Sequence, residues 1–255
     1  MREKTYDIGN ELIRVAKVRN KSPESALNLF IEHALKAFDV AKVGQNDSYE
    51  GWVKAVIEED KEYSGLITTW MEKVYNALSN GKTYDFFGGV YEEMFQSRGK
   101  ASSTGQFFTP MGVCELMARL TPPPDNGGII RISDPCCGSG RLILAHIGEN
   151  LKDRYRTIAY AEDIDIVSCG MCALNLMAHE CFGAVVCHDV LLYNVPHTVF
   201  IVNECKVPRY NQVMSIRTLK GEDAERWWNA GCYYKLEDYL KNDKYEKDET
   251  KSALH

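Results

Sequence analysis

The apolar positions of the chain change rhythm near its middle. Over the first hundred residues they recur at helical spacing. In SPESALNLFIEHALKAFDV, Leu27, Phe30, Ile31, Ala34, Leu35 and Phe38 fall on one stripe. Ser22 precedes it as an N-cap and Pro23 takes the first helical position. GQNDSYEG interrupts the pattern, after which Trp52, Val53, Val56 and Ile57 start a second helix and LITTWMEKVYNAL a third. TYDFFGGVYEEMFQ reads as a shorter helix carrying two glycines. Ser97 to Thr104 is a connector of small and basic residues. GQFFTP follows it, and Val113, Leu116, Met117 and Leu120 then form a short helical face.

TPPPDNGG ends the helical regime. Beyond it come IIRISD, TIAYAED, AVVCHD and VFIVNE, four short apolar runs that each end in an acidic residue. RLILAHIGENL and VSCGMCALNLMAHE separate the first three as helices. This alternation predicts an α/β fold with successive parallel strands joined by crossovers. Residues 204–255 carry mixed signals: GEDAERWWNAG and YYKLEDYL suggest helices, and KNDKYEKDETKSALH a frayed, charged end. The expected organisation is a helical region over 1–100, a core over 101–215, and a C-terminal helical segment with a charged tail over 216–255.

Composition narrows the classes. An apolar fraction of 45% supports a sizeable core. With 30 Lys and Arg against 36 Asp and Glu, the formal charge is -6, which gives no sign of a protein gripping DNA alone through many phosphates. No apolar stretch approaches the roughly 18 to 20 residues of a membrane helix, and no signal-peptide pattern follows the first residues. The nine cysteines are odd in number and the chain is long enough to fold without staples, so reduced thiols in a cytoplasmic protein are expected.

DPCCGSG, from Asp134 to Gly140, lies between a strand and a helix candidate. Gly138 and Gly140 permit a tight turn and close approach of a ligand to the backbone. A triphosphate loop would need Lys and then Ser or Thr after the last glycine, where this chain has Arg141 and Leu142. A dinucleotide fingerprint would need glycine at position 143, which is isoleucine. S-adenosylmethionine fits better, since it has a charged amino-acid end, ribose hydroxyls and adenine but no pyrophosphate. Asp134 would organise the loop or meet the methionyl ammonium. Glu162, Asp163 and Asp165 offer acceptors for the ribose hydroxyls, and Asp189 an acceptor for the adenine amine. All would converge beyond the carboxyl ends of parallel strands.

These segments resemble the DNA adenine methyltransferase (M) subunits of bacterial type I restriction-modification systems. Asp85, Gly88, Tyr91 and Glu92 match the family's D-x-x-G-x-x-Y-E segment, and Gly105 to Pro110 its G-Q-[YF]-[FY]-T-P segment. DPCCGSG matches the cofactor loop, AEDID the second strand, and CALNLMAHE the helix after it. The resemblance runs from about Asp85 to Asn203. It implies a Rossmann-like S-adenosylmethionine-dependent methyltransferase fold with a helical N-terminal region. It further implies cofactor contacts from Phe108, Thr109, Asp134, Gly138, Gly140, Asp163 and Asp189, with Asp163 in the ribose-binding place.

After the fourth strand the family carries Asn-Pro-Pro followed by Tyr or Phe, which hold the target amine and stack on the extruded base. Asn203 keeps the first position and is the catalytic candidate. Glu204, Cys205 and Lys206 replace the prolines and the aromatic ring, and Tyr210 lies four residues further on. The resemblance therefore implies methyl transfer to the exocyclic amine of adenine in DNA, with a specificity or other subunit as partner. The altered segment implies an alternative, a catalytically impaired regulatory or assembly protein of a restriction-modification system that retains the cofactor fold. The family's sheet also has three strands after the fourth, for which residues 204–255 leave little room.

Other candidates have plainer readings. Cys169 and Cys172 have C-x-x-C spacing but fall inside a helix, so buried thiols are expected and no metal. His146, His179, His188 and His197 accompany no Ser-His-Asp elbow or HExxH motif. Trp227 and Trp228 suit the packing of a C-terminal helix or contact with a base or subunit. Arg98 and Lys100 are a weak phosphate footprint.

Overall fold

The computed structural model describes residues 8–39, 58, 60–95, 108–123, 127–192, 194–204 and 214–238. Among the described residues, five helices precede the sheet: α1 (Ile8–Val18), α2 (Pro23–Ala37), α3 (Lys61–Ser79), α4 (Phe86–Phe95) and α5 (Met111–Leu120). Their starts follow from local chemistry. Ser22 Oγ accepts the N–H of Ser25 at 3.1 Å and Pro23 opens α2. Asp60 caps α3 by accepting from Glu62 and Tyr63, and Arg19 pairs with the same carboxylate. The apolar stripe of α2 is buried as the spacing predicts, through Leu27, Phe30, Ile31 and Ala34.

The sheet contains β1 (Ile130–Asp134), β2 (Thr157–Asp163), β3 (Phe182–Cys187), β4 (Thr198–Val202) and β5 (Ile216–Lys220), in the order β1-β2-β3-β4-β5. The first three strands are parallel, with Asp134 opposite Ala161 and Asp163 opposite Cys187. Helices α6 (Arg141–Glu149) and α7 (Ile166–Ala178) make the crossovers. The expectation of parallel strands fails at the fourth. β4 runs antiparallel to β3, with Cys187 opposite Thr198 and Gly183 opposite Val202. The described residues of 188–197 contain no helix, and a parallel connection needs a crossover of a dozen or more residues. β5 then pairs antiparallel with β4, so the segment after residue 215 begins as a strand before α8 (Glu222–Asn229).

Two apolar layers cover the sheet. On one face α7 is buried at every residue from Ser168 to Ala178, because it lies between the strands and the N-terminal helices. Trp70, Phe30, Phe86 and Phe87 fill the space above it in the same cluster. On the other face Ile158, Phe182, Val186 and Ile201 meet Ala224, Trp227 and Leu236. Trp227 thus packs the C-terminal helix. The α5 stripe of Val113, Leu116, Met117 and Leu120 behaves differently: it faces outward, while Cys114 and Ala118 pack against Ala145 of α6. Among the described residues no helix is long and apolar enough to cross a membrane. The result is a mixed α/β fold with a central sheet and flanking helices.

Candidate functional site

The carboxyl ends of β1 and β2 are joined by one hydrogen-bonded loop. Asp134 Oδ1 accepts the N–H of Cys136 at 3.1 Å, holding the start of the turn. The Cys137 N–H donates to the Glu162 carbonyl at 2.9 Å, and the Gly138 N–H donates to Asp163 Oδ2 at 2.9 Å. Asp163 Oδ1 accepts the N–H of Asp165, whose own carboxylate caps α7 through the Ser168 N–H at 2.8 Å. One carboxylate therefore ties the glycine loop to the turn after the neighbouring strand. Gly138 has φ 52°, and a Cβ there would lie 2.8 Å from the Phe108 ring. Gly140 has φ 86° and caps α6; a Cβ there would lie 2.9 Å from Cys172 Sγ. Both positions need glycine for conformation and for space.

Beside this loop lies an open cavity of ≈ 450 Å³, within the roughly 300–1,000 Å³ common for small-molecule sites. Phe108, Thr109, Asp134, Gly138 and Asp163 line it together with Arg141. The structure thus brings five of the seven expected cofactor residues to one wall. Gly140 sits behind it, at the helix start. Burial raises the Asp134 carboxyl above its ordinary value, and the nearby negative charge of Asp163 adds to this against the opposing Cys136 hydrogen bond.

The wall is braced from behind by a buried polar cluster. Asp85, just before α4, accepts four bonds: from the Gly88 N–H (2.9 Å), Asn175 Nδ2 (2.7 Å), Ser139 Oγ (2.8 Å) and Arg141 Nε (2.7 Å). Arg141 Nη1 also donates to Glu92 Oε1 (2.8 Å) and to the Thr109 carbonyl (3.1 Å). Asn175 of α7 donates in addition to the Ser139 carbonyl. A Cβ at Gly88 would come within 2.0 Å of Asp85 Oδ2. Tyr91 meets Phe108 edge-on at 5.2 Å. Every distinctive residue of the D-x-x-G-x-x-Y-E segment therefore touches the glycine loop, the cavity wall or another member of this cluster.

Two expected residues lie apart from the cavity. Asp189 follows β3 at the same end of the sheet, but its carboxylate accepts the N–H groups of Leu191 and Leu192 and it does not line the cavity. Asn203 ends β4, and because β4 is antiparallel it emerges at the opposite end of the sheet, ~16 Å along the strand direction from the level of Asp163. It is 1% exposed. Its Nδ2 donates to the carbonyls of Met177 and Cys181, and its Oδ1 accepts the Ser215 N–H at 3.0 Å. Its φ of 55° is a conformation asparagine tolerates better than most residues. The structure does not bring Asn203 to this cavity. Gly105, Gln106, Phe107, Cys205, Lys206 and Tyr210, like the basic connector at Arg98 and Lys100, lie outside the described residues.

Residues 82–201 match the family model of the N-6 DNA Methylase. The match begins three residues before Asp85 and ends within β4, so it encloses the braced loop and the cavity. Among curated proteins, the chain is 25% identical over 176 residues to the type I restriction enzyme MpnII methylase subunit of Mycoplasma pneumoniae, covering 63% of this chain and 32% of that protein. It is 30% identical over 92 residues to the type I restriction enzyme EcoEI methylase subunit of Escherichia coli, covering 34% of this chain and 18% of that protein. The matches thus span about a third or less of these relatives' length. No solved structure matches the chain significantly.

Arg141, Ser139 and Asn175 carry the brace, yet nothing in the local sequence marks them. Their signal is distributed: a charged residue directly after a glycine turn needs a buried counter-charge, which Asp85 and Glu92 supply from a distant helix. His179 is wholly buried, and burial lowers its pKa to about 4. Its Nε2 accepts the Tyr84 N–H at 3.0 Å, and its Nδ1, 2.6 Å from the Asn175 carbonyl, then carries the proton. It is a neutral structural link beside the brace. Cys137, Cys169, Cys172 and Cys187 are free and buried. A hydrogen bond with Cys187, together with burial, holds the Cys169 thiol up, and burial pushes Cys181 to about 12. Protonated thiols make poor metal ligands. Among the described residues no cluster of His, Cys, Asp and Glu suits a metal ion.

Proposed function

We propose that this chain is an S-adenosylmethionine-binding protein of the DNA adenine methyltransferase type, built on a Rossmann-like core with a helical N-terminal region. The observation that carries the reading is the Gly138 turn, held by Asp163 against a cavity in which any Cβ at position 138 would strike Phe108. A backbone kept bare and locked to the next strand's carboxylate suits a ligand lying across the carboxyl ends of β1 and β2. Asp163 has lone pairs left for the ribose hydroxyls, and Asp134 has an oxygen left for an ammonium. Phe108 and Thr109 shape the near wall, and Gly140 starts the helix beneath it. Asp189 enters as the adenine contact that the resemblance implies, from the end of β3.

When bound, the cofactor supplies an electrophilic methyl group. The domain organisation we propose keeps 1–100 as the helical region that braces the loop through Asp85 and Glu92. The core over 101–215 holds the cofactor, and 216–255 forms the C-terminal segment. The substrate we propose is an adenine extruded from DNA, presented with the help of a specificity or other subunit. The type I methylase subunits among the relatives and the net acidic charge of the chain support a shared grip on DNA.

One observation favours a second reading, a regulatory or assembly protein that binds the cofactor without methylating DNA. Asn203, the catalytic candidate, has its amide engaged by three backbone groups at the far end of the sheet. The two readings part in one experiment. The folded chain is incubated with methyl-labelled S-adenosylmethionine and mixed-sequence duplex DNA, alone and with a type I specificity subunit, and N6-methyladenine is measured by mass spectrometry. Label in adenine, lost in Asp163→Ala, supports the enzyme; cofactor binding with no N6-methyladenine under either condition supports the second reading.

A further inference from the structure

Arg141 opens α6 with its side chain 8% exposed. Its Nε is used by Asp85, and its Nη1 by Glu92 and the Thr109 carbonyl. A guanidinium carries five N–H donors in a fixed plane, and among the described residues its Nη2 has no hydrogen-bond partner. Arg141 nonetheless forms part of the cavity wall. A guanidinium held at both Nε and Nη1 has its plane fixed, so the N–H groups of Nη2 between them point in a set direction. On the same wall Asp134 is 9% exposed and uses only Oδ1, on the Cys136 N–H. Its Oδ2 has no partner among the described residues.

The cavity wall therefore offers a half-used buried guanidinium and a half-used buried carboxylate. A neutral head group satisfies neither well, and a simple cation or anion satisfies one and opposes the other. An α-amino acid end satisfies both, with its ammonium at Asp134 and its carboxylate at Arg141. We infer that Arg141 receives the α-carboxylate of the bound cofactor and so selects ligands that carry an intact amino-acid end. This rests on the cofactor reading above and extends it to a residue outside the glycine loop. It also gives the brace a purpose: Asp85 and Glu92, which lie just before α4 and within it, orient the group that reads the cofactor. Because two carboxylates already face Arg141, directed hydrogen bonds do more of the selecting than net charge, and lysine is a poor replacement.

The test is calorimetric titration of the folded full chain with S-adenosylmethionine, decarboxylated S-adenosylmethionine and 5′-methylthioadenosine, with folding checked by thermal melting. The wild type is expected to prefer the intact cofactor over the decarboxylated form by about tenfold or more. Arg141→Lys should remove most of that preference while leaving 5′-methylthioadenosine binding in place. Should Arg141→Lys fail to fold, Glu92→Gln loosens the same guanidinium from its partly exposed side and should narrow the same preference. A variant that weakens all three ligands equally, or leaves the preference intact, overturns the inference. Equal wild-type binding of the intact and decarboxylated forms also overturns it while sparing the cofactor reading. Binding of none of the three overturns both.

Discussion

At the carboxyl ends of β1 and β2, buried polar side chains border a cavity; at the far end, the Asn203 amide that follows β4 is turned onto three backbone groups. Both clusters are rich in hydrogen bonds. Asp85 accepts four and the Asn203 amide makes three. They differ in what is left over. Around Asp85 the bonds stop one layer short of a cavity, leaving Asp134 and Arg141 with unused atoms on its wall. Around Asn203 the partners are backbone groups at the ends of α7, β3 and β5, so the amide pins strand ends together. A polar residue after a strand is thus a site residue or a clamp according to which end of the sheet it reaches. The direction of the strand decides that.

The sharpest way to break this comparison is to remove the brace. Asp85→Ala leaves Arg141 buried with one counter-charge fewer and strips acceptors from Ser139 and Asn175. A destabilisation of about 3–5 kcal/mol is expected in chemical denaturation, with loss of cofactor binding. A loss under 1 kcal/mol would show that the cluster does not hold the loop.

The next effect is one of pH. His179 is neutral and wholly buried, and its folded pKa is lowered from 6.5 to about 4. The unfolded chain therefore binds the extra proton first. Its contribution is fully present above pH 6.5 and is lost as the pH falls towards 4, a change of about 3 kcal/mol. His179→Gln should flatten the stability profile between those values; an unchanged slope would contradict the burial account.

At the far end, Asn203→Ala should cost about 2 kcal/mol, from the unpaired Ser215 N–H and the left-handed backbone. Cofactor affinity should stay at the wild-type value in the same preparation. A selective loss of affinity would place Asn203 in the functional site after all. Gly138→Ala reverses this pattern. Its expected stability cost is only about 1–2 kcal/mol, but the displaced Phe108 ring should weaken cofactor binding markedly. The smallest effect is expected on the outer face of α5, where Leu116→Lys should change stability by less than about 0.5 kcal/mol, because Leu116 is already exposed.

Local features were legible in the chain itself. The α2 stripe, its Ser22 cap and the Asp134–Gly140 turn each depend on residues within a few positions of one another, and each stands where the pattern put it. The direction of β4 was not legible in the run VFIVNE, which reads alike either way. The signal lay in the connection: residues 188–197 are too few for a crossover and contain Pro196. The fifth strand was hidden for a related reason, since IRTLK mixes polar and apolar positions at an edge. The brace could not be read locally at all, because it gathers residues 85, 92, 139, 141 and 175. The α5 stripe shows the converse limit: helical spacing reveals an apolar face without revealing what, if anything, lies on it.

The central claim is that the cavity beside Gly138 takes S-adenosylmethionine. Its most direct test is an isothermal titration of the folded protein with S-adenosylmethionine, set beside Asp163→Ala and Asn203→Ala at matched folded fraction. The predicted result is saturable one-to-one binding that Asp163→Ala abolishes and Asn203→Ala leaves intact. Absence of binding to the folded wild type, or equal loss in both variants, would contradict it.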